Sequence, residues 1–175
     1  MNTAQYMKQS LGFLHESFRT AGDGLTPEQL HHSPEGESHS IAWIQWHGAR
    51  VEDLLVQQVF QGQPQIWNAE WAERTGLPVD GFGTGQSTPD AKAIRIKDPA
   101  AFAGYAQQVA QRTDALLDSL DDAALERRVT VANRDETLGE SITLHLVTHL
   151  NGHRGEVNLL RGEMGFQPVM VNRGG

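Results

Sequence analysis

The sequence predicts an all-α fold, a four-helix bundle, and three observations carry that expectation. Four segments repeat apolar residues at the three-to-four spacing of a helix face; Gly, Pro and polar residues separate them; and capping residues stand at their starts. No internal repeat at solenoid periods and no sustained heptad pattern competes with this reading.

The first helix is expected from about Thr3 to Thr20, with Tyr6, Met7, Leu11, Leu14 and Phe18 on its buried face, and "AGDGL" stops it. "TPEQL" offers Thr26 as an N-cap with Pro27 at the first helical position, which predicts one short turn. The second long helix begins at Ser38 or Ser40 and runs through "IAWIQWHGARVEDLLVQQVFQG" until Gly62 and Pro64 end it. At 100° per residue, Trp43, Ile44, His47, Val51, Leu54, Leu55 and Gln58 share one arc, so His47 falls inside the buried stripe.

From 63 to 97 the periodicity fails. A loop of that length is uncommon unless it has a function, and its middle, "NAEWAERTG", suits two helical turns stopped by Gly76. This partly helical insertion between helices 2 and 3 is expected to form a lid or wall over one end of the bundle, or a dimer contact. Asp98-Pro99 starts the third helix, with Phe102, Tyr105, Ala106, Val109, Thr113, Leu116, Leu117 and Leu120 facing inward. "DDAALERRVTVANRDE" connects it to the fourth, where Thr137 and Glu140 have capping-box spacing. That helix reaches about Glu163 and ends at Gly165, leaving 166–175 as an extended tail.

At 175 residues the chain suits a single domain, 1–175, long enough to bury a core. Its 14 basic and 22 acidic residues, net −8, argue against nucleic acid or an anionic membrane surface as partner. With no cysteine, a disulfide framework, a zinc ribbon, an iron–sulfur cluster and a Cys nucleophile are excluded, and any metal must take N and O ligands. The first residues lack the unbroken apolar stretch of a signal peptide, and nothing approaches the roughly 20 apolar residues of a membrane span, so a soluble cytoplasmic protein is expected.

The histidines carry the functional signal. "HLVTHLNGHRGE" places His145, His149 and His153 at intervals of four, and the stripe Ile142, Leu146, His149, His153, Val157, Leu160 and Met164 contains two of them. An i,i+4 pair lets two imidazoles converge on one ion, and His47 on the second helix is the obvious third ligand. Three imidazoles with positions left open to water resemble a catalytic site more than a closed structural one, and Zn, Ni, Fe or Mn suits such ligation. The competing reading is three core histidines, each of which would need hydrogen-bond partners once desolvated.

Three successive turns span about 12 Å, so His145 is expected to support or line the site rather than ligate. His15, His31, His32 and His39 read as solvated surface. Glu156 shares the face of His153, either as a support or general base for the site, or as a surface carboxylate pairing with Arg154 or Arg161. Trp43 is a candidate floor of the pocket, and Arg50 and Arg154 are candidate anion-binding groups or surface ion pairs. Paired Glu-x-x-His motifs and HExxH are both absent, which excludes the di-iron carboxylate bundle and the metalloprotease helix.

"IAWIQWHGARVEDLLVQQVFQGQPQIW", "EWAERTGLP" and "LHLVTHLNGHRGEVNLLRGEMG" together resemble the DinB-like superfamily, in the branch related to mycothiol-dependent enzymes. The likeness runs from the first helix to Gly165, and its specific part is one His on the second helix plus His-x-x-x-His-Arg-Gly on the fourth. The resemblance implies up-down-down-up topology, a divalent metal on His47, His149 and His153 with open water positions, and often a homodimer. It also implies an enzyme with a small-molecule substrate, a transferase or isomerase using a low-molecular-weight thiol such as mycothiol, bacillithiol or glutathione. A metal-dependent hydrolase and a non-catalytic, stress-related bundle holding a metal or small ligand are the alternatives. The family usually has Gln after His-Arg-Gly, where this chain has Glu156.

Overall fold

A computed structural model describes residues 2–36 and 38–169. Its helices are α1 (Thr3–Arg19), α2 (Pro27–Leu30), α3 (Ile41–Asp53), α4 (Ala69–Thr75), α5 (Thr88–Lys92), α6 (Pro99–Asp118), α7 (Asp122–Leu125), α8 (Leu138–Ser141) and α9 (His149–Glu163). Two π-helical stretches extend the long helices, Leu54–Val59 after α3 and Ile142–Thr148 joining α8 to α9. A two-stranded antiparallel sheet, β1 (Arg128–Val131) with β2 (Arg134–Thr137), completes the architecture.

Local chemistry sets the helix starts. Ser40, not Ser38, caps α3, its hydroxyl accepting the Trp43 N–H at 3.1 Å. Thr26 and Thr137 form reciprocal capping boxes with Gln29 and Glu140, and Asp98 caps α6 ahead of Pro99. Asn2, unnoticed in the sequence, makes a third capping box with Gln5 at the start of α1. Gly76, at φ 72°, ends α4 in the left-handed conformation that glycine adopts without a Cβ penalty.

α1 and α3 each pack against both α6 and α9, so consecutive long helices before the insertion lie diagonally across the bundle. Lys8, early in α1, pairs with Asp118 at the end of α6 at 2.7 Å, making those helices antiparallel. His15 meets Glu52, while the Phe18 carbonyl accepts from Gln45, so α3 also runs against α1. Arg161, late in α9, donates to the Ala21 and Asp23 carbonyls just past α1, which makes α9 parallel to it. The four long helices are therefore up, down, down, up.

The interior has two apolar clusters. One gathers Leu11, Leu14, Leu55, Val56, Phe60, Leu116, Leu117, Leu138, Ile142 and Leu146. The other holds Trp43, Trp46, Trp67, Phe102, Tyr105 and Val157, and the insertion contributes Leu77, Ala91, Ile94 and Ile96 to it. The insertion is thus part of the core at one end of the bundle.

Several expectations are corrected. Tyr6 is 63% exposed, because Ala4 takes the inward place in the first turns of α1. Gln58 is exposed while Leu55, Val56 and Gln57 are buried: the wider π winding of Leu54–Val59 rotates the inner face away from the 100° wheel. The connection before helix 4 contains α7 and the β-hairpin, whose two-residue turn puts Ala132 (φ 49°) and Asn133 (φ 65°) at the positive angles that a type I′ turn demands. In the tail, Val169 is buried and its N–H donates to Asn158 Oδ1 at 2.8 Å; positions 170–175 lie outside the described residues.

Candidate metal centre

α3 and α9 meet where Gly48 admits Leu150, and this contact brings their inward histidines together. His149 Nε2 lies 3.0 Å from His47 Nε2 and 3.1 Å from His153 Nε2, and one donor atom from each ring falls within 4.8 Å of the others. Two nitrogens bound cis at about 2.1 Å to one ion are themselves about 3.0 Å apart. Both separations from His149 therefore suit ligation of a single ion.

The far sides of two rings decide which atom offers a lone pair. His47 Nδ1–H donates to the Phe82 carbonyl, and His153 Nδ1–H donates to Glu156 Oε2 at 2.8 Å. Each acceptor places the proton on Nδ1 and leaves Nε2 bare toward the cluster. His149 Nδ1 is buried and has no hydrogen-bond partner among the described residues. Without an ion, the His149 Nε2–H can satisfy only one of two lone pairs at a time; a cation satisfies all three.

Electrostatics agree. Burial, with His149, His153 and His39 nearby, pushes His47 down to about 4 against the opposing bond to Phe82. Burial, then His153 and His145, lowers His149 to about 4 as well. Both rings are neutral near pH 7, the form that ligates metals. The hydrogen bond from His153 holds the Glu156 carboxyl below the usual range, so it is an anion.

The surround comes from α3 and the insertion. Trp43 stacks on His47 at 4.6 Å between ring centroids and on His39 at 3.7 Å, and its Nε1–H donates to Gln86 Oε1 at 2.8 Å. Gly83 lies directly against His47 and Trp43. The stretch 81–86 thus passes directly behind His47.

Other residues fall elsewhere. His145 donates to Glu136 of β2 at 2.8 Å, tying the helix to the hairpin rather than reaching the cluster. Arg50 is only 5% exposed; it donates to Gln65 Oε1 and the Gly81 carbonyl and covers the Trp67 ring, so it anchors the insertion rather than forming a surface pair. Glu156 pairs with His153, and no ion pair joins it to Arg154 or Arg161 among the described residues. Of the histidines expected in solvent only His32 is exposed. His15 binds the buried Glu52, His31 bridges the Pro27 carbonyl and the Ile96 N–H, and His39 stacks on Trp43. The spacing of His39, Trp43 and His47, four residues apart, was the available signal for that stack.

A family model describing the DinB superfamily matches residues 12–157, from α1 to the turn that carries Glu156. The chain belongs to the DinB superfamily. Solved structures resemble this DinB-superfamily fold throughout. A conserved protein from Enterococcus faecalis is 20% identical with a TM-score of 0.76, covering 93% of this chain and 99% of its own. YfiT from Bacillus subtilis, a probable metal-dependent hydrolase with an unusual four-helix bundle topology, is 16% identical with a TM-score of 0.67, covering 94% and 89%. A DinB-like protein from Bacillus cereus is 20% identical with a TM-score of 0.61, covering 95% and 96%. No curated protein matches the chain. Among the described residues, no helix is long and apolar enough to cross a membrane.

Proposed function

We propose that this chain is a divalent-metal-dependent enzyme in which His47, His149 and His153 hold the ion and a small-molecule substrate reacts at the positions they leave open. The observation that carries the proposal is the meeting of three Nε2 atoms, two of them stripped of their protons by acceptors on the far side of the ring. When bound, the ion would lower the pKa of a coordinated water or thiol and so provide a nucleophile near neutral pH.

The chain's own groups do the rest. Phe82 and Glu156 orient two of the ligands, and Trp43 fixes the plane of His47. We assign Glu156 to positioning through His153, because its carboxylate oxygen is already committed to that ring. The cysteine-free sequence is compatible with sulfur arriving on a low-molecular-weight thiol, the transferase or isomerase reading. The fold likeness to YfiT supports the hydrolase reading, in which water takes the same place. A homodimer is compatible with the face of α9 where Leu159, 64% exposed, follows Gly152 and Gly155.

The test loads protein made without a His-tag with Zn, Mn, Ni or Fe(II) and offers electrophiles and esters with and without mycothiol, bacillithiol or glutathione. Turnover that requires both metal and thiol supports the transferase; turnover with metal alone supports the hydrolase. Stoichiometric metal with no turnover across the panel would leave a metal-binding module in place of an enzyme.

A further inference from the structure

We propose that Gly83 and the Phe82 carbonyl form a positioning device for His47: the strap 81–83 keeps the imidazole proton on Nδ1 and so turns the Nε2 lone pair toward His149 and His153. The inference deepens the metal-site reading and rests on it.

Side chains at three positions of α3 reach this strap and its flank. Trp43 Nε1–H donates to Gln86 Oε1, His47 Nδ1–H to the Phe82 carbonyl, and Arg50 Nη2 to the Gly81 carbonyl at 3.1 Å. Trp67 Nε1–H holds the chain two residues before the strap, donating to the Val79 carbonyl at 3.0 Å. The Phe82 carbonyl is therefore fixed from several directions. Without an acceptor at Nδ1, a neutral imidazole in water favours the other tautomer, with its proton on Nε2, where it would block ligation.

The close approach depends on glycine at 83. A Cβ there would lie 2.8 Å from both His47 Nδ1 and Trp43 Cζ2. Neither ring has room to yield, since Trp43 stacks on His39 as well as on His47 and bonds Gln86. The strap would have to move instead, taking its carbonyl with it. Gly83 also has φ +96°, which would strain any side chain placed there, but that conformation is not unique: Gly85, two residues on, has φ +75°, and a Cβ there meets nothing within 4 Å. Gly85→Ala thus carries the backbone penalty without the clash.

The experiment compares wild type, Gly83→Ala and Gly85→Ala as full chains by two measurements. Long-range 15N–1H correlation of the metal-free proteins reads the His47 tautomer, and Zn2+ titration reads affinity. The proposal expects Nδ1–H in wild type and Gly85→Ala, and a shift toward Nε2–H in Gly83→Ala. It also expects Zn2+ affinity in Gly83→Ala to be about 10–100-fold below that of Gly85→Ala. An Nε2–H tautomer in folded wild type overturns it whatever the variants do; so does Gly83→Ala that keeps Nδ1–H and the affinity of Gly85→Ala. Wild type that binds no Zn2+ but shows the expected tautomer shift would sink the metal reading and leave the strap's role standing.

Discussion

Two polar clusters lie along α3, a few residues apart, and they are built on opposite principles. Around Glu52 and Asp53 the carboxylates meet donors and opposite charge. Glu52 accepts from His15 at 2.9 Å and from the Thr113 hydroxyl, while Asp53 accepts the Ile66 and Trp67 N–H groups and the Tyr105 hydroxyl and faces Arg50 at 3.7 Å. Around His47, like meets like, and three imidazole nitrogens face each other. A cluster closed on itself holds a fold together; one whose acceptors converge is finished only by something from outside.

The largest effect should come from breaking the closed cluster. Glu52→Ala strands His15 and leaves the Thr113 hydroxyl only the Val109 carbonyl, and is expected to cost about 3–5 kcal/mol in denaturant unfolding, while metal stoichiometry in the folded fraction stays unchanged. A loss below about 1 kcal/mol would mean the pair behaves as a surface salt bridge.

Acid should separate the clusters next. His47 and His149 are depressed to about 4 from 6.5, so the unfolded chain binds their protons first. Metal-free stability therefore falls as pH drops from about 6.5 toward 4, by roughly 3 kcal/mol for a buried imidazole shifted this far. At the closed cluster, burial lowers the His15 pKa, but the charge and hydrogen bond of Glu52 outweigh it and the net is raised. Burial raises the Glu52 pKa, but His15 and Thr113 reverse it and the net is lowered. The His15 contribution is thus present below 6.5 and the Glu52 contribution above 4.5, so the pair holds across the window in which the trio weakens. Urea midpoints of metal-free wild type and His47→Ala from pH 7 to 4.5 check this: the variant's curve should be flatter, and parallel curves would contradict the assignment.

A bound ion should reverse the weakness of the open cluster. At 100 times its dissociation constant a ligand adds about 2.7 kcal/mol, so wild-type thermal stability should rise with Zn2+ and that of His149→Ala should not. The smallest change is expected from Glu156→Ala, which frees His153 Nδ1 but keeps all three ligands. Zn2+ affinity should drop by about tenfold, read by competition with a chromophoric chelator. An unchanged affinity would show that the carboxylate does not orient the ring.

What the sequence reveals about the two clusters follows from the range of the forces involved. Caps such as Thr26, Asp98 and Thr137 act over three residues, and the stripes containing His47, His149 and His153 act over a few turns, so both can be read from local spacing. The pairing of His15 with Glu52 joins residues 37 positions apart, and neither spacing nor composition marks it. The Phe82 carbonyl behind His47 is backbone, which every residue carries, so only the glycines of 81–85 hinted that the chain passes closely there. The π stretches and the hairpin depart from 100° periodicity over a few residues, too short a span to alter a pattern read across a whole helix.

The most direct test of the open cluster is equilibrium dialysis of protein purified without a His-tag against Zn2+, for wild type and for His47→Ala, His149→Ala and His153→Ala. The account predicts one ion per chain in wild type and loss of stoichiometric binding in each variant, with folding retained by circular dichroism. A wild type that binds no ion, or variants that keep a full equivalent, would contradict it.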